Sequence, residues 1–199
     1  METMIMKHEI TRADIIPMPE YAASRAERRR ALAAYKRDRR VEVGPHATFY
    51  FESYETMWNQ VHEMLHIEKG GEEQIAGELE AYNPLIPKGR ELVATLMFEI
   101  DNPVQRARFL AGLGGVEETV SLEFAGESVK GTPELDVDRT TEEGKASSVQ
   151  FVHFPFTDAQ AAKFKAAGTR VTLAIAHDAY AHAAVIPERV RAALAQDLD

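Results

Sequence analysis

The chain has no cysteine among its 199 residues. That excludes disulfide frameworks, thiolate zinc centres, cysteine-ligated iron–sulfur clusters and a cysteine nucleophile within the chain. It fits a reducing cytosol. Tryptophan occurs once, at position 58. No stretch approaches the roughly 20 apolar residues that a bilayer crossing needs, and the longest apolar-rich run, Val171 to Ala176, has strand length. Lys7, His8 and Glu9 follow directly on the partly apolar Met1 to Met6, whereas an export signal needs an unbroken apolar core behind a basic start. The expected compartment is the cytoplasm, with no membrane partner, and the clustered Met1, Met4 and Met6 leave the natural start open. Phosphate-binding and nucleophile-elbow motifs are missing. Gly112-Leu113-Gly114-Gly115 follows a helix pattern, so it reads as a helix stop and not as a dinucleotide fingerprint.

What is present is charge, unevenly placed. The chain carries 23 basic and 32 acidic side chains, a formal −9. Residues 1–40 hold 10 basic and 6 acidic ones, or +4, which leaves 13 and 26, or −13, for the remainder. Tyr21 to Arg40 has good helix formers and no Gly or Pro, so a helix is expected there. Its basic surface comprises Arg25, Arg28, Arg29, Lys36, Arg37, Arg39 and Arg40, beside a modest apolar side of Ala31, Leu32, Ala34 and Tyr35. Such a helix can neutralise phosphates, but an acidic chain is far from the balance of a nucleic-acid binder. Docking on its own acidic remainder is the expectation.

Val41 to Phe51 is rich in β-branched and aromatic residues, with a break at Gly44-Pro45. Ser53 is placed to cap a helix from Tyr54 to about Lys69 that Gly70-Gly71 ends. A second helix, Glu72 to Tyr82, stops before Asn83-Pro84. Further on, the strand–helix–strand–strand order occurs twice. Ala94 to Ile100, Asn102 to Leu113, Glu118 to Phe124 and a strand near Ser128 form one set. Ser148 to Phe156, Asp158 to Ala167, Arg170 to Ala176 and His182 to Ile186 form the other. The helices superpose at an offset of 55 (Gln105 on Gln160, Phe109 on Phe164) and the following strands at 51 (Val120 on Val171, Leu122 on Leu173). Duplication and convergent patterning both account for these matches. Gly126 to Ser147 reads as a polar, acidic, mobile connection.

The fold class expected is therefore α+β. N-terminal helices precede a mostly antiparallel sheet, built from two β-α-β-β units, with helices on one face. The parts are residues 1–90, helical with one β segment, and 91–199, taken together as one continuous domain.

One motif carries chemistry, His62-Glu63-Met64-Leu65-His66. On a helix, two His one turn apart can bind zinc, and Glu63 can activate a metal-bound water once a metal is there. Against this, no metzincin extension follows. The apolar face through Met57, Trp58, Val61, Met64 and Leu65 would also leave both His on the polar flank. His177 and His182 flank Tyr180 at a strand–strand turn, a second arrangement able to hold a metal or move protons. Turn-stabilising or buried His and Tyr explain the same residues. No cofactor is expected; a divalent metal, zinc or iron, is the alternative. The loop Tyr82-Asn83-Pro84-Leu85-Ile86-Pro87 is the first surface to test for binding, through Tyr82, Asn83, Pro84 and Pro87. Its competing role is a stiff connector whose Leu85 and Ile86 plug the core.

The order of motifs resembles domain-of-unknown-function family 3501, bacterial proteins of about this length. The carrying residues are Thr11 to Asp14, Lys36-Arg37, Arg39-Arg40-Val41 with Gly44-Pro45, Glu63-Met64-Leu65 and Ala81 to Pro87. Thr95-Leu96-Met97, Ser147-Ser148-Val149, His177, Tyr180, His182 and Asp197-Leu198 complete the set. The resemblance implies no established activity. It implies genes lying beside rubrerythrin-like and iron–sulfur oxidoreductase genes, hence an accessory or binding role with redox proteins as partners. It also implies that His62 and His66 are peculiar to this chain, while Glu63 belongs to the family. Three functions follow: an accessory protein of a redox system, a metal-binding protein or zinc-dependent hydrolase on His62, Glu63 and His66, and nucleic-acid binding through residues 21–40. The first is the leading expectation. Neither substrate nor oligomeric state is readable.

Overall fold

The computed structural model of the chain describes residues 7–134 and 145–199. Two antiparallel sheets and a layer of helices stack on one another. Helix α1 spans Met18–Lys36 and passes through a 3-10 turn, Arg37–Arg39, into strand β1, Arg40–Val43. Gly44, at φ +70, turns the chain into β2, Ala47–Phe51, so the expected single β segment is a hairpin. Helix α2, Tyr54–Glu68, starts where the Ser53 hydroxyl accepts from the Thr56 amide, and ends at Lys69 in the left-handed conformation. Helix α3 is Glu72–Tyr82, continued by a 3-10 turn, Asn83–Leu85.

The second half runs β3 (Glu91–Phe98), α4 (Pro103–Leu110), β4 (Val120–Phe124), β5 (Glu127–Lys130) and β6 (Thr132–Pro133). It continues as β7 (Val149–Pro155), α5 (Asp158–Lys165), β8 (Val171–His177), β9 (Tyr180–Val185) and α6 (Glu188–Leu194). Asn102 and Thr157 cap α4 and α5 from positions 55 apart. The larger sheet has the order β1-β2-β3-β7-β6 and the smaller β5-β4-β8-β9. The strands that the offset of 51 superposes lie side by side: Val120 pairs with Ile175 and Phe124 with Val171. No helix among the described residues is long and apolar enough to cross a membrane.

An α+β fold with N-terminal helices and antiparallel strands is thus what the chain adopts. Two details differ from expectation. The strands form two sheets, not one, because β3 and β7 pair with each other while β4 and β8 pair elsewhere. The strand expected near Ser128 is β5, and a further part of the expected polar connection is β6; the two close edges of the two sheets, while residues 135–144 of that connection lie outside the described residues, as do Met1 to Met6.

Alternation along each strand decides what each face meets. Phe49, Phe51, Leu92, Leu96, Val152 and Phe154 face Val120, Leu122, Phe124, Val171 and Leu173 in one buried cluster between the sheets. Phe164 of α5 and Val190 and Leu194 of α6 join this cluster. The helices therefore do not all share one face. On the other side of the larger sheet, Val93 belongs to a separate cluster with Ile10, Ile15, Met57, Val61, Leu65, Ile75, Leu85 and Ile86. That second cluster holds the α2 face beside His62 and the Leu85 and Ile86 of the Tyr82–Pro87 loop, whereas Tyr180 belongs to the first.

Candidate functional site

His62 is fully buried (0% exposed), not on a polar flank. Met57, Val61 and Leu65 give α2 one packed face, and the N-terminal segment with α1 covers a second that helical spacing alone does not reveal. The His62 ring lies 3.7 Å from the Trp58 ring and 5.1 Å from Tyr21, centroid to centroid. Its Nδ1 donates to the Trp58 carbonyl at 2.7 Å and its Nε2 accepts from the Ile16 amide at 3.2 Å. Those partners fix a neutral tautomer with the proton on Nδ1, and burial pulls the ring's pKa down. Both nitrogens are engaged, so no lone pair remains for a metal.

Glu63 is equally committed. Arg25 grips its carboxylate in a two-point fork at 2.8 and 2.7 Å, and the Tyr21 hydroxyl donates at 2.7 Å. The Arg25 bonds hold the carboxyl down at about 2. A carboxylate so paired is a poor base for activating water. His66 packs edge-on against Tyr21 at 6.0 Å. Among the described residues, no three His, Asp or Glu side chains converge as metal ligands would. The His62-Glu63-His66 motif here is a joint fastening α1 and the N-terminal segment to α2, and the zinc-hydrolase arrangement is not formed.

The basic helix is fastened to its own chain. Besides Arg25 on Glu63, Arg39 is buried with Asp197, its Nη1 and Nη2 at 2.8 and 2.6 Å from the carboxylate oxygens. Arg39 also donates to the Glu52 carbonyl and lies 4.8 Å over the Tyr35 ring. Arg40 pairs with Glu42. Arg29 and Arg37 are exposed, and Lys36 is half-buried. A stripe able to track phosphates would need these cations on one open face; two of the seven are spent inward.

The Tyr82–Pro87 loop is a clasp. The Asn83 side chain both accepts from the Ile10 amide at 2.8 Å and donates to the Ile10 carbonyl at 2.9 Å. His8 Nδ1 donates to the Pro87 carbonyl. Leu85, Ile86 and Pro87 are buried, Pro84 is exposed, and Tyr82 is half-buried near Gln60. Tyr180 is a second joint. Its hydroxyl donates to the Val43 carbonyl at 2.8 Å and accepts from the His46 and Ala47 amides at 3.0 Å each. It thereby ties β9 to the β1–β2 turn. His182 packs on the Tyr180 ring at 4.4 Å, while His177 hydrogen-bonds the Gly114 carbonyl and the Ala179 amide. Each of the two His serves its own turn.

A groove of about 350 Å³ lies between α1 and the start of α2. Leu32 and Tyr35 of α1 and Tyr54 and Trp58 of α2 line it, with Arg28 and Glu55 supplying charge. Arg28 lies 4.9 Å over the Trp58 ring and its Nε donates to the Ser24 hydroxyl. None of the ion pairs among the described residues includes Arg28. The Tyr35 hydroxyl, with one proton to give, lies 3.0 Å from the Ser53 hydroxyl and 3.2 Å from a Glu55 carboxylate oxygen, and burial pushes its pKa up to about 12. Sequence reasoning missed this groove. Its one signal was the apolar strip Ala31, Leu32 and Tyr35 on an otherwise basic helix.

A family model described as "Protein of unknown function (DUF3501)" matches residues 9–198. The chain belongs to this family. A DUF3501 assignment therefore accounts for the motif order noted above, from Thr11 to Leu198. A solved structure from Burkholderia pseudomallei K96243, titled a novel protein of unknown function, is similar at 39% identity and a TM-score of 0.88. The similarity covers 96% of this chain and 99% of that one. A search of curated proteins gives no match.

Proposed function

We propose that this DUF3501 protein is a non-catalytic binding or accessory protein, with the groove between α1 and α2 as its binding surface. The observation that carries the reading is Arg28, a guanidinium over the Trp58 ring in an aromatic groove, with no carboxylate of the described chain paired to it. The groove's size falls in the range of small-ligand sites, which are apolar clefts with a few convergent polar groups. His62 and Glu63, by contrast, are spent on internal bonds.

The finer reading follows the family resemblance: the protein serves a bacterial redox system, beside rubrerythrin-like or iron–sulfur oxidoreductase proteins. With no cysteine, the chain itself would supply docking or ligand delivery and leave electron transfer to those proteins. Titration with the rubrerythrin-like protein of the same genome tests it by calorimetry. Saturable binding that Leu32→Glu abolishes is expected; a flat titration removes the redox partner from the reading. Elemental analysis of protein purified without a histidine tag tests the non-catalytic part. A stoichiometric metal lost on His62→Ala would overturn it.

A further inference from the structure

We infer that the α1–α2 groove binds small monocarboxylates that carry an apolar or aromatic body. The inference rests on the groove being the binding surface and names what it takes. Arg28 sets the charge. Its guanidinium carbon lies 4.9 Å over the Trp58 ring centroid, and Nε donates to Ser24. The Nη N–H groups remain as in-plane donors, the geometry that suits a carboxylate.

Leu32, Tyr35, Tyr54 and Trp58 set the body of the ligand. Their apolar and ring surfaces reward a molecule that brings a hydrocarbon chain or ring with its charge. Glu55 sets the limit. It lines the same groove and already accepts from the Tyr35 and Ser53 hydroxyls, so a second anionic group would meet a fixed carboxylate. One negative charge is matched and two are opposed. An uncharged apolar molecule would cover Arg28 without pairing it, leaving a desolvated cation.

Trp58 is the single tryptophan of the chain and lines the groove, so its fluorescence reports occupancy directly. The full chain is titrated with 4-phenylbutyrate, with the uncharged 4-phenylbutanamide and with succinate. Phenylbutyrate is expected to give a saturable change, the amide to bind at least about tenfold more weakly, and succinate to give none. Arg28→Met should erase the difference between acid and amide, while Arg28→Lys keeps part of it. Unchanged melting of each variant shows that the fold is intact, and the wild-type comparison of acid with amide stands without any variant. Equal binding of acid and amide overturns the carboxylate inference and leaves the groove as a binding surface. No response to either compound overturns the carboxylate inference as well, and the partner titration with Leu32→Glu then decides separately whether the groove is a binding surface.

Discussion

His62 shows how a side chain with catalytic potential becomes a structural one. Its ring is held neutral between the Trp58 carbonyl and the Ile16 amide. Burial lowers its pKa below the ordinary 6.5. The unfolded chain therefore takes up a proton as pH falls through about 6.5 while the folded chain resists, so this contribution to stability is present above that pH and lost below it. Urea unfolding should give a lower stability at pH 5.5 than at pH 7.5. His62→Gln should reduce that difference, at a cost of about 1–3 kcal/mol at the higher pH for the disturbed bonds. An unchanged pH difference in the variant would show that other groups carry it. Neither the burial nor the bonds of His62 were legible in the sequence. The partners Ile16 and Tyr21 lie 46 and 41 residues away in the chain, as 62 minus 16 and 62 minus 21 show, and helix periodicity reports only one packed face.

At the scale of elements, the sequence was readable wherever local chemistry decides the outcome. Ser53 caps the helix it was placed to cap, and Glu72–Tyr82 falls where breakers bound it. Non-local choices were hidden. Nothing local tells β4 to pair with β8 and not with β3, because a strand's pattern fixes its faces and leaves its neighbour open. The β1–β2 turn combines both kinds of information. Gly44-Pro45 marked a break, but the reason for glycine is distant: at φ +70, a Cβ on Gly44 would lie 2.6 Å from the His182 ring and 2.7 Å from the Tyr180 hydroxyl oxygen. Gly44→Ala should therefore cost about 1–3 kcal/mol in chemical denaturation, from backbone strain plus the clash. Pairing it with His182→Ala should return only the His182 share of the clash, since the Tyr180 contact and the strained φ stay. Full recovery would mean that the turn tolerates a side chain.

Across the whole molecule, the buried Arg39–Asp197 pair joins the end of the basic helix to the last turn of the chain. Specific bonds of this kind, Arg25 with Glu63 and Arg39 with Asp197, join the +4 segment to the −13 remainder. Arg39→Met leaves the Asp197 carboxylate buried without its partner, and a loss of about 3–5 kcal/mol is expected. The double variant Arg39→Met with Asp197→Leu should recover most of that, because an apolar pair avoids the cost of desolvating two charges. Thermal or urea unfolding of the three proteins decides the matter; a double variant no better than the single would place the value of Arg39 in its bonds to Glu52 and its stacking on Tyr35.

The same pair sets a timetable for biosynthesis. Arg39 and Asp197 are 158 residues apart, and the N-terminal part of a chain leaves the ribosome first, at about 5–20 residues per second. The guanidinium therefore waits about 8–30 s for its carboxylate. Throughout that interval the C-terminal end of α1 has only its nearer contacts, Tyr35 with Ser53 and Glu55 and Arg39 with the Glu52 carbonyl, and the Arg39 charge is on offer to whatever chaperone or nascent neighbour arrives first.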